Sequence, residues 1–309
     1  MSSIFSTSTS AFYDRATLDL KSLRTQAEKL QTQISSGNRL TTSSDDPLAA
    51  SRLRALQRSD ALGQVDVAAA NRATSDLNLA DSALTQFSNY IVRIKELATQ
   101  AATGTLPDTQ RAAIGSELGQ IQKDLVNLAN TRDSNGHALF GGDVAGDAYT
   151  VDATTGVTSY AGNGAAGELS LGDGQTVTRS LTGPEFIEFK DKAGNNTDLM
   201  SLVKNLADAL KAGGPASQAL ASTSLDTLSN ALDSVTTAQT VVGSRLTWID
   251  MTVERQTAMA QTRASEQSDI GGTDTTEAVV RMQELATVLQ ASQASFAKLA
   301  GLSLFDVLR

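Results

Sequence analysis

The sequence predicts a mainly α chain with a β-rich insert. Both chain ends form long antiparallel coiled-coil helices, and a small β domain sits at the far tip. Three observations lead there. Near the N-terminus, Phe12, Ala16, Leu20, Leu23, Ala27, Leu30 and Ile34 recur at steps of three and four, the seam of a coiled coil. Near the C-terminus the same steps pick out Ala278, Met282, Leu285, Leu289, Ser292, Phe296 and Leu299. Between these ends, residues 137–197 lose helical periodicity and become rich in Gly, Thr, Val, Tyr and Asp. A helix with one narrow apolar seam cannot bury it alone. Each terminus therefore needs a partner: the other terminus, neighbouring copies of the chain, or both.

The elements follow in order. Residues 1–10 are polar and rich in Ser and Thr, with little to fold on. The first helix runs from about residue 11 to 36 and stops at Gly37, suited to the left-handed C′ position. Asp46 then caps a second helix, with Pro47 at its first position, where a missing N–H costs nothing. Its seam reads Leu77, Ala80, Leu84, Phe87, Ile91, Ile94, Ala98 and Ala101, with a weaker extension back through Leu56, Gly63, Val67 and Ala70. After Gly104, Leu106-Pro107-Asp108 opens a third helix carrying Ile114, Leu118, Ile121, Leu125 and Leu128, stopped by the turn dipeptide Asn135-Gly136.

Within the insert, 148–151, 158–160, 169–171 and 175–178 read as strands separated by turn signals. The tract Phe186-Ile187-Glu188-Phe189 reads as a last strand or a loop. Helix resumes over about 198–211. Gly213-Gly214-Pro215 breaks it, and a long helix spans about 216–267. Its seam is Leu225, Leu228, Leu232, Val235, Gln239, Val242, Leu246, Ile249, Val253, Gln256 and Ala260. Gly271-Gly272 precedes the last helix. The expected divisions are an assembly helix and corner at 1–47, disordered in the monomer, and helical rod segments at 48–136 and 198–267. The β-rich domain is 137–197, and a second assembly helix is 268–309.

Composition narrows the function. The chain of 309 residues has no cysteine and a single histidine, His137, so disulfides, Cys/His zinc sites and His-based catalysis drop out. Net charge is −9 with no Lys/Arg run, which argues against nucleic-acid binding. No apolar run reaches the roughly 18 residues of a membrane span, and the N-terminus lacks the pattern of a secretory signal. Asp143, Asp147, Asp152, Asp173 and Asp191 lack calcium-loop spacing and read as solvated loop acids. His137 reads as a turn residue. No nucleophile–base pair and no phosphate-binding glycine loop is present, so neither enzymatic activity nor a cofactor is expected.

The residues expected to carry function are therefore contact residues. They are Phe12, Leu20, Leu23, Leu30 and Ile34 of the first seam, and Met282, Leu285, Leu289, Phe296 and Leu299 of the last. Gly37, Arg39, Asp45, Asp46 and Pro47 form the corner, and Leu302, Leu304, Phe305 and Leu308 the apolar tail. The seams alone fit a monomeric bundle as well as packing between copies. Their small residues give a single chain little apolar area, which favours use between copies. The corner is at the least a capped helix–loop–helix, with Arg39 facing Asp45 or a neighbour's carboxylate.

The stretch ISSGNRLTTSSDDPLAAS at residues 34–51 resembles the N-terminal block of the flagellin-like axial proteins of bacterial flagella. Within that superfamily its SDDP corner is similar to the hook–filament junction proteins, where filament flagellins more often read DDAAG. LVNLANT at 125–131, NGHALFGG at 135–142 and LSLFDVLR at 302–309 agree with it, while the MSSIFSTST start and the final arginine depart from it. The resemblance implies an extracellular structural protein, exported unfolded by the flagellar type III apparatus with an export chaperone. It implies a ring of copies of the chain, the first hook-associated protein on one side and flagellin on the other, and an outward-facing β domain. A filament flagellin and a cytosolic coiled-coil adaptor are the alternatives.

Overall fold

The computed structural model describes the backbone of residues 3–307 apart from 134, 165, 192 and 193, and side-chain surroundings for residue 11 and for 13–298 within those bounds. The described elements are α1 (Ser3–Ser36), α2 (Pro47–Ala101), α3 (Asp108–Ala129), β1 (Tyr149–Val151), β2 (Thr158–Tyr160), β3 (Glu168–Gly172), β4 (Gln175–Thr178), α4 (Pro184–Ile187), β5 (Glu188–Lys190), β6 (Asn196–Asp198), α5 (Leu199–Ala212), α6 (Pro215–Gly271) and α7 (Thr275–Val307). The chain is mainly α with a small β-rich region, as its sequence predicts. It divides into two compact units, residues 63–257 and residues 1–62 with 258–309.

In the unit of residues 63–257 the core is built on α2. Leu77, Ala80, Leu84, Phe87, Ile91, Ile94, Ala98 and Ala101, the whole expected seam, are fully buried. On α6 the observed centre differs from the expected one. Leu228, Val235, Val242 and Ile249 are buried at seven-residue steps, as expected. The line beside them is Ser224, Ala231, Ala238 and Thr252, whereas Leu225, Leu232, Leu246 and Val253 stay half-buried. Small residues take the central line because they let neighbouring backbones approach, and the larger side chains close the flanks. Helix α3 crosses α5 closely at Gly115, where a methyl group would stand 2.7 Å from the Ala207 carbonyl oxygen.

One buried side chain closes the end of α2. Arg111 donates from Nε to the Ala101 carbonyl at 3.2 Å and from Nη2 to Thr103 at 3.1 Å, while Nη1 meets Asp108 at 2.9 Å. Carbonyls that the helix itself leaves unpaired are thereby satisfied.

Among the described residues, the β-rich region holds three antiparallel two-stranded ladders, β1–β2, β3–β4 and β5–β6. Tyr149 pairs with Tyr160, Leu169 with Val177, and Phe189 with Thr197. The β3–β4 turn, Gly172-Asp173-Gly174, has positive φ at all three residues, a conformation that glycine adopts without strain. The expected 186–189 tract divides instead: Phe186 and Ile187 end the short α4, and Glu188 begins β5. The Glu185 carboxylate folds back there, accepting from the Thr182 N–H at 2.5 Å and from the Thr182 hydroxyl at 3.0 Å. Phe186 lies between Phe87 of α2 and Phe140, with ring centroids 5.2 and 4.9 Å away, and all three rings are buried. Asp198 closes β6 and caps α5, accepting from the Ser201 N–H at 2.8 Å.

Candidate assembly interface

The other unit holds most of the expected contact residues. Helices α1 and α7 lie antiparallel: the Tyr13 and Phe296 rings meet edge to face at 5.5 Å, and Asn38 bridges Gly272 at the opposite end. The side chains that face inward are the ones the spacing selects. On α1, Ala16, Leu20, Leu23, Ala27, Leu30 and Ile34 are half-buried; on α7, Met282, Leu285, Leu289, Ser292 and Phe296 are half-buried and Ala278 is buried. The two seams thus cover each other without sealing. The side chains of Phe12, Leu299, Leu302, Leu304 and Phe305, and Leu308 altogether, lie outside the described residues. Tyr13 joins the seam unanticipated; extending the steps back from Leu20 through Ala16 reaches position 13 rather than 12.

The outer faces of the pair differ. Helix α7 carries no charged residue from Leu285 to Ala297, although most of that stretch is exposed. Helix α1 presents Asp14, Arg15, Asp19, Lys21, Arg24, Glu28 and Lys29 to its surroundings. A charged outer face suits water; a neutral one of Ala, Gln, Ser and Thr suits further packing.

At the corner, Gly37 has φ +69° and ends α1 in the left-handed conformation expected of it. Its carbonyl accepts from the Thr273 N–H at 2.9 Å, and the Arg39 N–H donates to the Gly271 carbonyl at 2.8 Å. The Arg39 guanidinium donates to the Ile270 carbonyl at 3.0 Å and stands 3.5 Å from Asp46, not from Asp45. Asp45 is taken instead by Lys29 at 2.7 Å and by the N–H groups of Thr41 and Thr42. The Lys29 ammonium, the Thr42 N–H and the Thr41 hydroxyl hold its carboxyl well below the usual range. Asp46 caps α2 by accepting from the Ala49 N–H at 3.0 Å; that bond, then Arg39, lowers its pKa as well. A methyl at Gly272 would collide with the Ser268 carbonyl oxygen, so the return turn admits only glycine without rearrangement.

Further polar contacts brace α2 against the end of α6. Arg52 grips Glu266 at 2.6 and 2.9 Å, and Asp60 accepts from Arg263 and Gln267, each at 2.5 Å. Asp274 caps α7 through the N–H groups of Thr276 and Glu277. Glu277 three residues after Asp274 is a capping-box spacing that the sequence displays. Among the described residues no cluster of His, Cys, Asp and Glu could hold a metal ion, and no helix is long and apolar enough to cross a membrane.

Known proteins match this arrangement. Residues 6–145 match the family described as the bacterial flagellin N-terminal helical region. Flagellar hook-associated protein 3 of Escherichia coli K12 is 27% identical over 319 residues, 97% of this chain and 98% of that protein. Its counterpart from Salmonella typhimurium is 26% identical over 317 residues, covering 98% and 99%. Flagellin B of Vibrio anguillarum matches in part: 25% identity over 177 residues, 56% of this chain. In three dimensions, FlgL of Xanthomonas campestris superposes with a TM-score of 0.62 at 18% identity, covering 69% of this chain and 99% of its own. Along nearly its whole length, the chain is similar to flagellar hook-associated protein 3.

Proposed function

We propose that this protein is the structural link between the hook and the filament of a bacterial flagellum. Copies of the chain form a short ring, with the first hook-associated protein on one side and flagellin on the other. The observation that carries this reading is the end-to-end likeness to hook-associated protein 3, set against flagellin matches over part of the chain. The half-open seams of α1 and α7 and the neutral outer face of α7 support it, because both leave packing to be completed by other subunits. The chain reaches its place by flagellar export, escorted by an export chaperone and threaded unfolded. It performs no catalysis; its residues hold shape and contacts. The corner of Gly37, Arg39, Asp45, Asp46 and Pro47 fixes where the terminal helices leave α2 and α6, and so aims the seams.

A deletion strain tests this reading. It should make intact hooks without filaments and shed flagellin into the medium, and the chain returned on a plasmid should restore filaments. Normal filaments in the deletion strain would overturn the proposal.

A further inference from the structure

A third helical seam lies open on this chain. On α2, Leu48, Ser51, Ala55, Arg58 and Leu62 follow one another at steps of three, four, three and four, the spacing of a coiled-coil face. All are exposed; Leu48 is 83% exposed and Leu62 59%. The opposite side of the same segment faces inward through Ala50, Leu53 and Leu56. On α7, away from its seam with α1, Val280, Glu284, Thr287, Ala291 and Ala294 are exposed and step by four, three, four and three. Read in opposite directions the two stripes have one spacing. Set antiparallel, Leu62 falls opposite Val280, Arg58 opposite Glu284, Ala55 opposite Thr287, and Leu48 opposite Ala294. Neither Arg58 nor Glu284 makes an ion pair among the described residues.

We propose that the Leu48–Leu62 face of α2 receives the Val280–Ala294 face of α7 from a second copy of this chain. The occupant follows from complementarity. The stripe on α2 offers bulky apolar ends and one cation; that on α7 offers small residues and one anion at the matching step. Small residues opposite Leu48 and Ala55 let the two helices approach. Both stripes are open within one chain, so only another copy can join them this way. The inference rests on the assembly reading above and adds to it a contact outside the α1–α7 seam. One such contact is small, and it is made effective by repetition around a closed set of subunits.

The test exchanges the charges in the full-length chain in its own bacterium. Arg58→Glu should reduce the protein recovered with sheared flagella by about threefold or more, since it sets like charges opposite each other. Glu284→Arg should do the same, and the double variant R58E/E284R should recover most of the loss. Because the native chain has no cysteine, R58C/E284C on oxidation should also give a ladder of linked subunits from those flagella. Normal recovery of R58E, no rescue by E284R, or a double-cysteine protein present in flagella without a ladder would overturn the contact. Absence of the wild-type chain from sheared flagella would instead overturn the assembly reading on which it rests.

Discussion

Asp45 and Asp46 are neighbours with separate partners, one tied to Lys29 and the Thr41–Thr42 loop, the other to the start of α2 and to Arg39. Both carboxyls are held below their ordinary values. A depressed native pKa means that the stabilisation is present above the unfolded value, about 3.9, and fades as pH falls through the native one. The corner is therefore at full strength at neutral pH and loosens only in acid. Asp45→Asn should sharply lower the hydrogen-exchange protection of the Thr42 N–H at pH 7; the difference should begin to narrow below about pH 3.9 and close only as pH falls through the depressed native value, below about pH 3. Equal protection in both proteins at pH 7 would refute that role. The cap by Asp46 and the end at Gly37 are legible in sequence, because both act within one turn of chain. The Lys29–Asp45, Asp60–Arg263 and Arg39–Ile270 contacts are not, because only the fold brings those residues together.

Among elements, what was legible follows periodicity. The seams of α1, α2 and α7 are visible because apolar residues recur there and polar ones fill the gaps. The centre of α6 is shifted because Ser224, Ala231 and Ala238 look unremarkable beside the leucines that flank them, yet close packing favours small residues. Strand β6 escapes because Asn196-Thr197-Asp198 has little strand propensity and is held by its ladder with β5. Gly115 shows the same logic at the α3–α5 crossing. An added methyl would press on the Ala207 carbonyl and stand 3.0 Å from the Lys211 nitrogen, so two backbones must separate. Gly115→Ala should destabilise the unit of residues 63–257 by about 1–3 kcal/mol, the usual cost of overpacking. Helix propensity alone would favour alanine there by about 1 kcal/mol. Denaturant unfolding thus gives opposite signs for a close crossing and a loose one, and a stabilised variant would show the crossing to be loose.

At the scale of the whole molecule, the two units have different means of staying folded. Residues 63–257 enclose Phe87, Phe140 and Phe186 and a run of fully buried Leu and Ile side chains. Helices α1 and α7 hold each other through one seam of half-buried residues, and most helical stability comes from packing rather than from propensity. Local opening follows such differences in burial. In dilute monomer, the amides of residues 13–34 should exchange orders of magnitude faster than those of residues 84–98. A fragment of residues 63–257 should keep the main cooperative transition of the full chain in a thermal melt followed by circular dichroism. If neighbouring subunits complete the seams, as the proposed function requires, protection of residues 13–34 should rise in sheared flagella toward that of the core. Full protection of α1 in the isolated chain would mean that the α1–α7 seam is sufficient by itself, and the half-open faces would then need another explanation than assembly.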